Sequence, residues 1–425
     1  MSDNFASMYE TWEEYYVRFT RYTISLFASV IACAALLSHA ALPQEEVPPP
    51  EQTTPVFSSH DIPPDKRVVM SQETEILEGA DAAGVPNYRV DPFWPKPLPN
   101  NWILGQVSGA DVSDDDHVWF LHRPNSLSDR EVGVTQDPPI NKCCYPAPPV
   151  IEYDQNGSLV NAWGGPGEGY DWFENEHGIH VDDEGFVWIG GNGESDHHLL
   201  KFTRDGEFVM QIGEPGASQG SNDTDNLNRP ADFDVDDKAN EIYVADGYGN
   251  RRVIVFDTET GEYKRHWGAY GETPDDDAAP LEDPRQGEAR QFGSPVHCVR
   301  IADDGQILVC DRVNNRYQVF EKDGTFVEEA YCERDTLLSG SVSDLVLSQD
   351  PDQHFVIMVD GSNNEMRIAD RAESKTLARV GRPGRQAGQF HVVHDIAIDS
   401  NGNVYTTEVN TGQRIQKFEL IKAAN

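Results

Sequence analysis

The stretch Asn175-Glu176-His177-Gly178-Ile179-His180-Val181-Asp182 decides how the chain is read, because a version of it is written six times. Aligned on their apolar alternation, the other copies are Gln106-Val107-Ser108-Gly109-Ala110-Asp111-Val112, Arg229-Pro230-Ala231-Asp232-Phe233-Asp234-Val235, Pro295-Val296-His297-Cys298-Val299-Arg300-Ile301, Ser341-Val342-Ser343-Asp344-Leu345-Val346-Leu347 and Val392-Val393-His394-Asp395-Ile396-Ala397-Ile398. One register position then reads Ser108, His177, Ala231, His297, Ser343, His394. Histidine stands in the second, fourth and sixth copies, and a small residue in the other three.

Each copy opens a longer unit. An acidic tight turn follows it, such as Asp182-Asp183-Glu184-Gly185, Asp303-Asp304-Gly305 or Asp399-Ser400-Asn401-Gly402. Next comes a β-branched and aromatic run, for example Val118-Trp119-Phe120, Val187-Trp188-Ile189 or Val404-Tyr405-Thr406. A third alternating run, a Gly turn and a short fourth run close the unit, as in Arg316-Tyr317-Gln318-Val319-Phe320 before Glu321-Lys322-Asp323-Gly324. Tight Gly-containing turns between alternating runs signal antiparallel hairpins. Four antiparallel strands repeated six times predict an all-β, six-bladed propeller, because one such sheet cannot bury both of its faces alone. A β-sandwich gives no reason for the turns to repeat in step with the aromatic strands. The last unit ends near Glu419-Leu420 with three strands, so the alternating Tyr88–Asp91 is expected to supply its outer strand and close the ring.

The chain divides into three parts. Residues 1–41 read as an export signal: Arg18 and Arg21 precede an apolar run from Thr23 to Leu37, and Ser38-His39-Ala40 fits a small-x-small cleavage site. Small residues before Cys33 also fit lipid attachment there. Residues 42–85, with Pro48-Pro49-Pro50 and no apolar period, read as a Pro/Glu-rich linker. Residues 86–425 are the propeller. The net charge is −40, with 73 acidic against 33 basic residues. That balance repels phosphate backbones and anionic lipid, so nucleic acid is excluded as a partner and a membrane is reached only through Cys33. The protein is expected to be exported, periplasmic or extracellular, and monomeric. Of six cysteines, five remain once Cys33 leaves. Cys298 and Cys310 fall on facing strands of one hairpin and can pair; the adjacent Cys143-Cys144 can form a vicinal disulfide, stay as thiols or pair elsewhere.

The alternating histidines point to chemistry. Neighbouring blades of a six-bladed ring are related by about 60°, so equivalent positions on alternate blades lie about 120° apart. The first strand of each blade lines the central channel. His177, His297 and His394 at one height therefore converge on the axis, with Ser108, Ala231 and Ser343 leaving room between them. Three neutral imidazoles with an open fourth position form the ligand set of a catalytic zinc. His122 and His197-His198 are out of register and read as ordinary strand or loop residues. The start of strand one lies beside the end of strand two. This brings Arg123, Tyr248 and Arg312 to the rim of the same face. Two guanidiniums can grip a carboxylate, and a phenol near a cation gives up its proton more readily. Asp395, with the backbone carbonyls of Ala110 and Ile179, offers hard oxygen donors suited to a structural calcium.

The third-strand pattern Asp-x-x-Asn-x-Arg, at Asp311–Tyr317 and, with one extra residue, at Asp246–Val253, resembles the NHL-repeat propellers. More specifically, the chain resembles the lyase domain of the peptidylglycine α-amidating enzymes. The resemblance runs through Gly105-Gln106-Val107-Ser108-Gly109, Phe120-Leu121-His122-Arg123, His177-Gly178, Val244-Ala245-Asp246-Gly247-Tyr248, Pro295-Val296-His297, Asp311-Arg312 and His394-Asp395. It implies zinc on His177, His297 and His394, calcium at Asp395, Ala110 and Ile179, and a catalytic group of Tyr248, Arg123 and Arg312. It implies cleavage of an α-hydroxyglycine C–N bond in a small carboxylated or peptide-like substrate, giving an amide and glyoxylate. Where animal members carry a pair of cysteines, this chain has Asn228 and Gly249. The loop Asp129–Pro149, with Cys143-Cys144, is an elaboration of blade one on the active face. The rival readings are a lactonase- or esterase-like propeller hydrolase, against which the three histidines argue, and a non-catalytic NHL-repeat binding module, which needs no Arg/Tyr set.

Overall fold

A computed structural model describes residues 74–78, 84–281 and 283–421. The export signal, the lipid-attachment site at Cys33 and most of the linker lie outside the described residues. Within the described part, six four-stranded antiparallel sheets form the blades of a propeller. Blade one runs from Gln106–Val112 through Val118–Arg123 and Val150–Tyr153 to Leu159–Trp163. Blades two, three, four and five open on Glu176–Val181, Asp232–Asp236, Val296–Ile301 and Asp344–Leu347. Blade six opens on Val393–Ile398 and is completed by Tyr88–Asp91, which pairs antiparallel with Arg414–Leu420. The ring is thus closed by joining the start of the propeller to its end, as the alternation at Tyr88–Asp91 predicts.

The stretch read as a linker contributes one element. Glu75–Ile76 adds a fifth, edge strand to blade five by pairing with Arg379 and Ala378. Two residues are too few to carry a periodic signal, so sequence alternation could not find it.

The core is divided among the blade interfaces. Six hydrophobic clusters each draw on two successive blades. Between blades one and two, Trp119 and Leu121 meet Ile179, Val187 and Phe202. Between blades six and one, Tyr405 and Ala397 meet Phe120 and Tyr153. Fully burying one such apolar side chain stabilises the fold by about 1.5–3 kcal/mol before the entropy of ordering it is counted. The acidic turns join the first strand of a blade to the second: Gly185 takes a left-handed φ of 83° and donates its N–H to the Asp182 carbonyl at 2.8 Å.

One irregularity positions the site. The first and second strands slip register by one residue at Ser108, at His177-Gly178, at His297 and at His394-Asp395. In blades three and five the ladder begins one residue after the register position, at Asp232 and Asp344, and Ala231 and Ser343 donate to the carbonyls of Ala245 and Val359, the partners of those aspartates. A β-bulge bends its strand and re-aims a side chain. All three histidines sit at such a bulge.

Candidate functional site

The three bulges send His177, His297 and His394 to one point, with the ligand-capable atoms within 4.8 Å of one another. All three side chains are buried. Their orientation is fixed by the small residues between them. His177 Nδ1 meets the Ala231 carbonyl at 2.7 Å, His297 Nδ1 the Ser343 carbonyl at 2.5 Å and His394 Nδ1 the Ser108 carbonyl at 2.8 Å. A carbonyl only accepts, so each Nδ1 carries the proton and donates. Each Nε2 is then a bare lone pair. This is the outer-shell arrangement that sets the tautomer and orientation of metal-ligating histidines. Burial, followed by the charges around them, holds His177 and His297 well below the usual imidazole range and brings His394 down to about 3. The set is neutral and ready to accept a cation.

Tyr248 stands directly on this set. Its Oη lies 2.9 Å from His177 Nε2 and 3.1 Å from His297 Nε2. Arg312 Nη1 approaches the same oxygen at 3.4 Å. The loop carrying Tyr248 can come this close because Gly247 precedes it: a Cβ there would lie 2.0 Å from the Val296 carbonyl oxygen, one residue before His297. Arg123 is buried nearby, donating to the Glu176 carbonyl at 2.7 Å and to Gln106 Oε1 at 3.0 Å. Burial lowers its guanidinium from the ordinary value. Asn228 and Gly249 face each other, since a Cβ on Gly249 would fall 2.0 Å from Asn228 Oδ1; the two are joined here by a backbone hydrogen bond of 2.9 Å.

One residue further along the inner strands lies a second layer. Asp232, Asp344 and Asp395 all follow the register position and all are buried. Arg300 of blade four ties two of them together, through Nη1 to Asp232 and through Nη2 to Asp344 at 3.0 Å. Asp395 accepts the Ala110 N–H at 3.0 Å, which brings it to blade one. Ile179 lies against the residue before Ala110: a Cβ on Gly109 would touch its N and its Cγ2, each at 3.1 Å. Burial and the neighbouring Asp344 and Asp232 push the Asp395 carboxyl well above the carboxylate range. Asp344 is pushed up to about 7, by burial first, against the pull of Arg300. Three carboxylates against one guanidinium leave two uncompensated negative charges when all are ionised, a deficit that a divalent cation would balance.

A second metal-capable group, Cys298, Cys310 and Asp344, sits against this layer. Its cysteines are joined as a cross-strand disulfide, so they are not thiolate ligands. Cys143 and Cys144 are likewise joined to each other, and Cys332 is a buried free thiol. His122 is structural: it accepts the Gly105 N–H at 3.1 Å and reaches the Pro148 carbonyl at 3.0 Å.

Sequence reasoning passed over Asp232, Asp344, Arg300, Asn192 and Arg229. The aspartates carried a signal, since they share the Asp395 position in the aligned copies. Arg229 carries one in the backbone alone, a left-handed φ of 61°.

Fold and site together define a propeller with a buried three-histidine centre on its axis and a Tyr/Arg cluster over it. No protein-family model matches the chain. The chain is similar to peptidyl-glycine alpha-amidating monooxygenase B of Xenopus laevis, 25% identical over 382 residues, spanning 84% of this chain and 37% of that protein. It is also similar to the probable peptidyl-alpha-hydroxyglycine alpha-amidating lyase pgal-1 of Caenorhabditis elegans, 22% identical over 333 residues, spanning 75% of this chain and 83% of that one. NHL repeat-containing protein 3 of Mus musculus is 28% identical over 185 residues, 41% of this chain and 46% of that protein. The chain is therefore a distant relative of proteins named for peptidylglycine α-amidation and of NHL-repeat proteins, and it matches only about a third of the length of the first of them. Among the described residues, no helix is long and apolar enough to cross a membrane.

Proposed function

We propose that this protein is an exported, monomeric, zinc-dependent carbon–nitrogen lyase that splits an α-hydroxyglycine-type substrate into an amide and glyoxylate. The observation that carries the reading is the set of three Nδ1-to-carbonyl bonds, which leaves three buried Nε2 lone pairs converging on one point beneath Tyr248. Neutral, oriented imidazoles fit zinc. When bound, zinc supplies Lewis acidity toward the carbinol oxygen and withdraws charge from it.

The chain's own residues do the rest. Tyr248, acting as a tyrosinate with Oη at the mouth of the histidine set, would take the hydroxyl proton as the carbon–oxygen double bond forms and the C–N bond breaks. The same proton returns to the departing nitrogen, so the products are a neutral amide and glyoxylate, with no water consumed. Arg312, 3.4 Å from Oη, presents positive charge to the oxygen anions gathered there. Arg123, held by Glu176 and Gln106, is a fixed cation for the substrate carboxylate. In the layer below, Asp395 with Ala110 and Ile179 would hold a structural calcium that neutralises the excess carboxylate charge. The disulfides at Cys143–Cys144 and Cys298–Cys310 fit an oxidising compartment and so support export.

The experiment is metal analysis together with turnover. Purified protein is expected to hold about one zinc per chain and to release glyoxylate from an N-acyl-α-hydroxyglycine. Zinc without glyoxylate would retain the metal centre and reject the substrate; absence of zinc would reject both.

A further inference from the structure

Two groups of arginines in this protein differ in their partners. Arg252, Arg316 and Arg367 are each held by a carboxylate of their own blade: Asp246 at 2.9 Å, Asp311 at 2.8 Å and Asp360 at 3.5 Å. Arg123, Arg229 and Arg312 have no carboxylate within ion-pair distance among the described residues; their partners are neutral oxygens. The Arg312 Nε is buried with no acceptor at all. These three surround one tyrosine. The guanidinium carbons of Arg229 and Arg312 lie 6.0 and 5.7 Å from the centre of the Tyr248 ring. Arg229 and Arg123 are linked through a single residue, Asn192, whose carbonyl accepts from Arg229 Nε at 3.0 Å and whose side-chain oxygen accepts from Arg123 at 3.4 Å.

Arg229 is placed there at a cost. Its φ of 61° is in the left-handed region, which a long side chain adopts only under constraint. The constraint is a pair of backbone bonds: its N–H donates to the Asp196 carbonyl at 2.8 Å, and its carbonyl accepts the Tyr248 N–H at 3.2 Å. Among the described residues its two terminal nitrogens have no hydrogen-bond acceptor, which leaves four N–H donors beside Tyr248 without a partner. In a chain of net charge −40, three guanidiniums with no ion pair among the described residues, of which Arg123 alone feels a nearby carboxyl, that of Glu176, form an anion site above three neutral imidazoles.

One carboxylate saturates one guanidinium by a bidentate pair. A substrate whose only charge is the carboxylate on its reacting carbon would leave Arg229 unmatched. We propose that Arg229 is a specificity-determining residue and that the substrate is dianionic, with a second carboxylate on the acyl side of the bond that breaks. The placement of that bond rests on the lyase reading above; the paired-anion site does not.

The test uses the zinc-loaded, full-length protein and inert anions first. Calorimetric titration with acetate, malonate, succinate and glutarate is expected to give at least a tenfold preference for one dicarboxylate over acetate. Arg229→Asn removes the charge while suiting the left-handed backbone. It is expected to abolish the preference while changing acetate affinity less than threefold, and Arg229→Lys is expected to restore part of it. Equal binding of mono- and dicarboxylates by the native protein, or a preference that survives in Arg229→Asn, overturns the proposal. Turnover is the second arm. The ratio of kcat/KM for succinyl- over acetyl-α-hydroxyglycine is expected to fall about tenfold in Arg229→Asn. A dicarboxylate preference lost in Arg229→Asn, with neither substrate releasing glyoxylate, would sink the lyase reading and leave the anion site standing.

Discussion

His394 and Asp395 are adjacent in the chain, yet they belong to layers of opposite character. His394 shares its layer with two other neutral imidazoles, and the charges that act on it are Arg123 and Arg312. Asp395 shares its layer with two other carboxylates and one guanidinium, Arg300. A regular strand would send these neighbours to opposite faces. The bulge between Val393 and Ile396 turns both toward the channel at different heights. One layer is short of negative charge and open toward Tyr248; the other has too much and is buried. The difference teaches that the axis of this propeller carries two layers in series; on the proposed reading the first does the chemistry, and the second holds a cation and joins blades.

The strongest way to break that distinction is to remove a ligand from the upper layer. His297→Ala is expected to lose the bound zinc and all measurable glyoxylate release, while the far-ultraviolet circular dichroism stays unchanged. Retention of one zinc per chain by atomic absorption would show that the imidazoles do not hold it. Tyr248→Phe is the next largest effect. It keeps the ring packed between the histidines and removes only Oη, so zinc content should persist while kcat falls by about 10²–10⁴-fold. A fall of less than tenfold would remove Tyr248 from proton transfer.

Much of the upper layer could be read from the sequence, and the reason is geometric. Six copies of one strand placed histidine at one register position in alternate copies, and a propeller turns alternate copies into a three-fold set. The Asp311-Arg312 and Tyr248 rim followed from antiparallel pairing. The bulges could not be read, because the extra residue in an inner strand has no residue-type signature and only the pairing register reveals it. Without them, one of His394 and Asp395 had to face away. Arg300 was equally opaque. An arginine late in a strand reads as surface, and only Asp232 and Asp344 arriving from the flanking blades draw it inward. The carbonyl partners of the histidines were hidden because backbone groups leave no trace in residue type.

The lower layer should answer in stability, where the upper layer answers in turnover. Arg300→Met leaves Asp232 and Asp344 buried without their shared cation. It is expected to cost about 3–5 kcal/mol in urea unfolding of the metal-free protein. Calcium should recover more of that loss than magnesium, because a site of carboxylate and carbonyl oxygens suits the larger ion. A variant as stable as the native protein without calcium would mean that the carboxylates carry no charge to be balanced.

The smallest effect separates the layers by sign. His394, brought from 6.5 to about 3, refuses a proton that the unfolded chain accepts, so its contribution to stability is lost as pH falls from about 6.5 toward 3. Asp344, raised from 3.8 to about 7, keeps a proton that the unfolded chain releases. Its contribution is therefore full below about 4 and is lost as pH rises toward 7. Between pH 4 and 6.5 the two oppose each other, each with a slope of at most about 1.4 kcal/mol per pH unit. Asp344→Asn removes only the second. In metal-free protein, the urea midpoint of this variant should therefore rise more steeply from pH 5 to 6.5 than that of the native chain. Calcium should steepen the native protein in the same direction, because a bound divalent cation keeps the carboxylates ionised and cancels the proton they would otherwise retain. Parallel pH profiles for native and Asp344→Asn protein would mean that Asp344 is already ionised beside Arg300, and that the lower layer carries its full charge without an ion.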